Sequence, residues 1–226
     1  MIQYVFLVIF FIDAGIHILG VAKESKKIIY ATKPFLMLLL ALYFIFALPL
    51  NKVNWLIVIA VLFGGAGDIF LMLEGDEKWF MLGMGAFLLG HIFYIIAFIL
   101  EIGDNIVLFP IWGVLFLIPV VLILVLTYPR FKNHLGDLKI PVHVYMLVIL
   151  VMHIFTVLRV AAYDFFCACF LLVWLGSLLF IFSDSLIAID TFNKEKKIPH
   201  VRIIIMLTYI LGQFLIIQGV ILSLLL

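Results

Sequence analysis

The sequence is poor in charged residues and in cysteine. Only 12% of its 226 residues are charged and 68% are apolar, whereas a soluble domain carries about 25% charged residues. No water-soluble fold can bury so much apolar surface, so the composition excludes a soluble protein. The net charge of +1 argues against a nucleic-acid partner. Cys167 and Cys169, the two cysteines, lie in an apolar run and predict neither a disulfide framework nor a zinc site.

Long polar segments and linkers are also missing. Short polar stretches separate eight apolar runs, and a helix of about 20 residues is long enough to cross a hydrocarbon core of about 30 Å. Because backbone groups in lipid must be satisfied within the chain, runs of this length form helices. The predicted fold class is therefore all-α, a polytopic membrane bundle of eight transmembrane helices in a single domain, residues 1–226. The spans are predicted near residues 2–22, 30–50, 53–73, 79–100, 105–127, 140–160, 164–190 and 201–225.

The basic residues are distributed unevenly between the loops. Twelve of the 14 Lys and Arg residues follow the first, third, fifth and seventh spans, and only Lys52 and Arg159 follow the others. By the positive-inside rule, the basic loops face the cytoplasm and both termini face the opposite side. For a bacterial source this predicts a multi-pass protein of the inner or plasma membrane. The twelve residues are Lys23, Lys26, Lys27, Lys33, Lys78, Arg130, Lys132, Lys139, Lys194, Lys196, Lys197 and Arg202.

Two aspartates lie within the predicted spans. Asp68 and Asp184 lie roughly 7 Å and roughly 9 Å from the cytoplasmic ends of the third and seventh spans, so the two carboxyl groups share one depth. An ionisable group in hydrocarbon costs several kcal/mol, which favours a function over a purely structural pairing with a buried Lys, Tyr or His. We expect the two aspartates to face each other across one cavity in the cytoplasmic half of the membrane.

Other polar side chains reach compatible depths from neighbouring spans. We predict that they bind substrate or support the aspartates, although for His91, Tyr209 and Gln213 a hydrogen bond that only stabilises the bundle is an equal alternative. The predicted supporting residues are Lys33, His91, Tyr94, Tyr145, Ser177, Ser183, Tyr209 and Gln213. Structural or interfacial roles are predicted for Asp13, His17, His143 and His153. A solvated acidic turn, without a metal site, is predicted for Glu74, Asp76 and Glu77.

A weak internal repeat relates the two halves of the chain. The segment Phe87-Leu-Leu-Gly90-His91 in the fourth span matches Tyr209-Ile-Leu-Gly212-Gln213 in the eighth, and each aspartate lies in the third span of its half. Pro34 and Pro141 likewise begin the second span of each half. These matches predict a tandem 4 + 4 arrangement about a pseudo-two-fold axis along the membrane normal, which would bring the aspartates together.

Several of these segments together resemble the lysoplasmalogenase family, also called YhhN-like. The resemblance covers nearly the whole chain, with one departure at Gly212, where alanine is expected. It implies hydrolysis of the vinyl ether bond of lysoplasmalogens, with release of a fatty aldehyde and a glycerophospho-ethanolamine or -choline. The segments are Gly67 to Leu71, Gly83 to Tyr94, Pro141 with Tyr145 and Met146, Gly176 to Leu186, and Tyr209 with Gln213.

The chemistry of this reaction fits two carboxyl groups. Hydrolysis requires an acid that protonates the alkene carbon, a negative group that stabilises the oxocarbenium ion, and a base that activates water. As in glycosidases, two carboxyl groups can supply all three without a metal or cofactor. The residues leave open which aspartate is the acid. Lys33 lies at the level of the lipid head groups, where it can hold the phosphate of a lysophospholipid as a point charge.

Two other function classes remain open. A proton-coupled transporter also places carboxylates and a histidine inside a helix bundle, but the polar groups here are expected to cluster on one side of the membrane. An intramembrane aspartyl protease is suggested by Gly65-Ala66-Gly67-Asp68 together with Tyr163-Asp164. The second pair is predicted at the outer end of the seventh span, too far from Asp68, so the protease ranks lowest. Oligomeric state is not indicated by the sequence.

Overall fold

The structure is a computed structural model that describes residues 1–73, 77–164, 166–193 and 198–226. In these residues the chain is helical, without strands, and eight helices are long and apolar enough to cross a membrane. The prediction of an all-α bundle with eight spans is therefore confirmed. The α-helices are α1 (Ile2–Ala22), α2 (Lys26–Ala47), α3 (Trp55–Met72), α4 (Glu77–Ile102), α5 (Ile118–Thr127), α6 (Lys139–Leu158), α7 (Ala168–Phe192) and α8 (Val201–Leu225).

The fifth span differs from the prediction of one helix over residues 105–127. Only Ile118–Thr127 is a regular α-helix, and it follows two 3₁₀ segments, Gly103–Leu108 and Ile111–Leu117. Gly103 ends α4 with a φ of +51°, a conformation that glycine adopts without strain. Pro110 then separates the two 3₁₀ segments, because it has no N–H to donate and holds the preceding residue extended.

The predicted repeat is visible where α3 packs against α4 and α7 against α8. A methyl group on Gly90 would lie 3.0 Å from the Ala60 carbonyl oxygen, and one on Gly212 would lie 2.9 Å from the Gly176 carbonyl oxygen. Ala60 and Gly176 both lie eight residues before the aspartate of their own helix. The two helix pairs therefore approach each other in the same register, through matching glycines.

The repeat does not extend to the first helix of each half. Helix α1 packs along α2, whereas α5 packs mainly against α7. The interrupted helical geometry before Ile118 leaves α5 too short to follow α6 as α1 follows α2.

The cysteines lie at the start of α7. Cys167 precedes the helix, and a disulfide joins it to Cys169. The sequence predicted no disulfide framework, and this bridge is local, linking residues separated by two positions.

Membrane orientation stays a prediction. Three of the basic residues that carry it, Lys194, Lys196 and Lys197, lie outside the described residues, and so do Glu74 and Asp76 of the predicted acidic turn. Below, the inner half means the part of the bundle at the C-terminal ends of α3 and α7, and the outer half means the opposite part.

Candidate active site

Asp68 is held by two other helices. Its side chain lies on α3 and is only 3% exposed. Lys33 of α2 places its ammonium nitrogen 3.4 Å from Oδ1, and Tyr209 of α8 donates its hydroxyl to Oδ2 at 2.7 Å. Both carboxylate oxygens therefore have a partner, and the positive charge of Lys33 compensates the negative charge of Asp68.

Asp184 of α7 has neutral partners. Tyr145 of α6 donates its hydroxyl to Oδ2 of Asp184, and Nε2 of His91 on α4 lies 3.2 Å from the same hydroxyl. Because the Tyr145 proton points to the carboxyl group, the network assigns the His91 proton to Nε2, which donates to Tyr145. The other ring nitrogen of His91 is buried without a partner among the described residues.

Aromatic rings connect these two sets of residues. The Phe180 ring lies 4.8 Å from His91 and 5.4 Å from Tyr209 between centroids, and Phe87 lies 5.9 Å from Tyr209. The Phe87 ring packs against Gly67, where any side chain would collide with it, because a methyl group on Gly67 would lie 2.6 Å from the ring. The two aspartates are close enough to repel each other electrostatically. We call this set the inner cluster: Lys33, Asp68, His91, Tyr145, Asp184 and Tyr209.

An apolar cavity opens beside Asp184. It lies between α4, α5, α6 and α7. Its wall is almost entirely apolar, and Asp184 and Tyr145 contribute polar groups to it. The chain thus places an ionisable carboxyl group next to a space with the chemical character of a hydrocarbon-binding site. Residues that illustrate the wall are Phe80, Phe131, Met146, Ile149 and Phe192.

The predicted supporting residues divide into three groups. Lys33, His91, Tyr145 and Tyr209 contact the aspartates directly or through one neighbour, although Lys33 pairs with Asp68 and is only 13% exposed, instead of standing free for a phosphate. Tyr94 and Gln213 bond to each other at 2.8 Å, behind the inner cluster. The two serines lie elsewhere.

Ser177 and Ser183 form their hydrogen bonds with residues other than the aspartates. Ser177 lies 2.8 Å from Nδ1 of His153 and donates to the Trp174 carbonyl. Ser183 donates to the carbonyl of Ile205 at 3.1 Å. Both hydroxyls link helices, so the structure does not bring these residues to the predicted site.

Sequence reasoning missed a second ionic cluster in the outer half. Arg159, counted as a loop residue, is 0% exposed and donates to both carboxylate oxygens of Glu101, at 2.9 and 2.8 Å. Tyr163 donates to Glu101 at 2.9 Å, and Arg159 also donates to the Cys169 carbonyl. We call Glu101, Arg159 and Tyr163 the outer cluster. The sequence did contain a signal for this pairing, because Glu101 and Arg159 are opposite charges at the outer ends of the fourth and sixth spans.

The outer half corrects one expectation, that polar groups cluster on one side of the membrane, and agrees with another, that Tyr163 lies far from Asp68. Polar groups continue beyond the inner half, since His153 and Thr156 also lie buried with Ser177 between the two clusters. Tyr163, which the protease interpretation requires beside Asp68, contacts Glu101 instead.

The remaining histidines predicted as structural have hydrogen-bond partners. Nδ1 of His17 lies 2.8 Å from the Thr32 hydroxyl, and Nε2 of His143 lies 3.0 Å from the Tyr128 hydroxyl. Asp13 keeps one buried carboxyl oxygen without a partner among the described residues.

Comparison with known proteins identifies the family but no individual relative. No curated protein and no solved structure matches the chain significantly. The model of the YhhN family matches residues 28–220, which include every residue of both clusters. The chain therefore belongs to the YhhN family, the family that includes lysoplasmalogenases.

Proposed function

We propose that this protein hydrolyses the vinyl ether bond of lysoplasmalogens, giving a fatty aldehyde and glycerophospho-ethanolamine or -choline. The observation that carries the proposal is the pair of carboxyl groups within the bundle, the buried Asp68 and the partly buried Asp184, the second of which opens onto an apolar cavity. Family membership supports the same substrate class.

The reaction needs little beyond what these residues supply. A proton must be added to the alkene carbon, water must attack the adjacent oxygen-bearing carbon, and the resulting hemiacetal must release the glycerol oxygen. Carboxyl groups act as acid and base in such steps, and a second carboxylate stabilises the developing positive charge. Tyr145 and Tyr209 hold the two aspartates in place through hydrogen bonds.

The substrate has a single hydrocarbon chain and a polar head, which fits the division of the site. The apolar cavity between α4 and α7 suits the chain. The ether bond would then lie at the inner cluster, where the cavity ends at Asp184. Membrane lipid supplies this substrate directly to an integral membrane protein.

The proposed orientation places both termini outside the cytoplasm and the inner cluster in the cytoplasmic half. A reporter that is active only in the cytoplasm, fused after Leu226, should stay inactive. The same reporter inserted at His134, in the basic loop before α6, serves as the positive control. Activity at Leu226 would contradict the orientation.

One specific observation favours a second candidate, a proton-coupled transporter. The buried residues His153, Thr156 and Ser177 continue from the inner cluster toward the outer cluster. Such a row is typical of proton relays. A liposome assay that detects substrate-driven proton flux would support transport, whereas aldehyde release without flux would support hydrolysis.

The direct test uses two lysolipids with the same chain and head group, one with an alkenyl ether and one with an acyl ester. Purified protein should release aldehyde from the ether and no fatty acid from the ester. A preparation in which Asp68 and Asp184 are both replaced by Asn controls for contaminating hydrolases. Absence of aldehyde from the unmodified protein would contradict the proposal.

A further inference from the structure

The geometry points to distinct roles for the two aspartates. We infer that Asp184 is the proton donor to the alkenyl chain and that Asp68 is the carboxylate that stays ionised throughout the reaction. This inference rests on the proposed vinyl ether hydrolysis and assigns the roles within it.

The first argument is the asymmetry of charge. Two carboxyl groups that repel each other tend to share one proton. Lys33 lies 3.4 Å from Asp68, whereas among the described residues the groups beside Asp184 are the hydroxyls of Tyr145 and Tyr209 and Asp68 itself. The cation therefore fixes the negative charge on Asp68, and the shared proton remains on Asp184.

The second argument is the position of the cavity. Asp184 belongs to its wall and Asp68 does not. In a vinyl ether the carbon that accepts the proton is the one nearer the hydrocarbon chain, and the oxygen-bearing carbon is nearer the glycerol. A chain lying in the cavity presents its protonated carbon to Asp184 and directs the glycerol side toward Asp68 and Lys33.

These positions define a balanced sequence of steps. The carboxylic O–H of Asp184 breaks, its proton forms the new C–H bond with the alkene electrons, and positive charge develops on the ether oxygen and its carbon. Asp68 stabilises that charge. Water then adds to the oxygen-bearing carbon and returns a proton to Asp184, restoring the acid. Finally the hemiacetal C–O bond to glycerol breaks, and the hydroxyl proton passes to the glycerol oxygen, giving the aldehyde and the alcohol.

Tyr145 is a positioning residue in this scheme. Its hydroxyl occupies Oδ2 of Asp184, which leaves Oδ1 to carry the proton. His91 contacts Tyr145 from α4 and fixes the direction of that hydrogen bond.

The roles predict a pH–rate profile with two separable limbs. Activity falls at low pH when Asp68 is protonated, and Asp68 faces Lys33 from α2, Tyr209 from α8 and Asp184 from α7. Activity falls at high pH when Asp184 loses its proton.

The groups around Asp184 differ from those around Asp68. They are Tyr145 from α6, Asp68 from α3 and Tyr209 from α8, with His91 of α4 behind Tyr145. A variant of Lys33 should therefore act on one limb only.

The test measures kcat/KM for aldehyde release against pH in the purified protein and in Lys33→Met. An opposite charge within about 4–6 Å shifts a carboxyl group by about 1–3 pH units. Its removal makes Asp68 harder to ionise, so the low-pH limb should move upward by about 1–3 units while the high-pH limb stays in place. Lys33→Arg should restore the original profile. Lys52→Met, which removes an exposed lysine bonded to the Leu224 carbonyl, is the matched control.

Three outcomes would contradict the assignment. Movement of the high-pH limb in Lys33→Met would show that the acid is Asp68 and not Asp184. Limbs that stay unchanged in Lys33→Met would show that Lys33 does not influence the reacting carboxyl groups. Thermal unfolding in detergent shows whether Lys33→Met is folded, with Lys33→Arg, which keeps the ion pair, as the reference. A wild-type protein that releases no aldehyde would instead overturn the proposed function and the assignment together.

Discussion

The two buried ionic clusters of this protein differ in how completely their charges are matched. In the outer cluster one carboxylate, Glu101, receives both donors of one guanidinium, and Tyr163 adds a third hydrogen bond. In the inner cluster Lys33 pairs with Asp68, whereas Asp184 accepts a hydrogen bond from the neutral Tyr145 and faces a cavity.

This difference separates a structural role from a chemical one. A matched, bidentate pair resists proton transfer, so we propose that the outer cluster acts as a link between α4 and α6. On the proposed mechanism, the unmatched carboxyl group beside an open space is the one that gives away a proton. The balance of charge, more than burial itself, therefore distinguishes the two clusters.

The largest expected effect tests the inner cluster. Asp68→Asn and Asp184→Asn should each lower aldehyde release by about 10²–10⁴-fold, because the amide can neither donate the acid proton nor stabilise positive charge. The double variant should lose little more, since the two residues act as a unit. Initial rates on purified protein measure this. Asp190→Asn, on the largely exposed end of α7, is the control. Rates within a few-fold of wild type for Asp68→Asn or Asp184→Asn would contradict the two-carboxylate mechanism.

The outer cluster should respond in stability and not in chemistry. Arg159→Met leaves the partly buried Glu101 without its cation, and breaking a buried pair in this way costs up to about 3–5 kcal/mol. Replacing both residues by Met should recover much of that loss. Thermal unfolding in detergent measures the stability, and the rate per folded molecule should stay within a few-fold. Arg202→Met, whose side chain is 79% exposed, should change neither quantity.

The helix pair α7–α8 supports both clusters through its glycines. Gly212→Ala would place a methyl group 2.9 Å from the Gly176 carbonyl oxygen, and such overpacking costs about 1–3 kcal/mol. Gly85→Ala, where nothing lies within 4 Å, should be neutral or stabilising. Equal unfolding temperatures for the two variants would show that the close approach of α7 and α8 is not needed.

The smallest expected effect is that of His91→Gln. His91 reaches Asp184 only through Tyr145, and Gln213 occupies the equivalent place in the repeat. The loss of activity should therefore be well below that of the aspartate variants. His134→Gln, in an exposed loop position, provides the comparison, and a loss as large as that of Asp184→Asn would place His91 in the chemistry itself.

Hydropathy predicted the eight spans because each helix must be apolar for about 20 residues, and depth alone aligned Asp68 with Asp184. Depth does not give the rotation of a helix about its axis. The sequence therefore predicted that Lys33 and Tyr145 lie near the aspartates, but not which aspartate each would contact. The same limit put Ser183 in the site, and it hid the pairing of Arg159 with Glu101. Ser177 lies on the same face of α7 as Asp184 but two helical turns away, beside His153. The shortened α5 depended on local backbone chemistry at Gly103 and Pro110, which hydropathy does not measure.

The short regular helix α5 has a consequence for how lipid reaches the site. Ten residues of α-helix extend only about 15 Å, half of the hydrocarbon thickness, and the preceding 3₁₀ turns have poorer hydrogen-bond geometry. The α5 side contributes Leu124 to the wall of the cavity. Amide protons between Ile111 and Leu117 should consequently exchange with deuterated solvent sooner than those in the middle of α7. We therefore expect a single-chain lipid to reach the cavity from the α5 side, whose span is only partly α-helical.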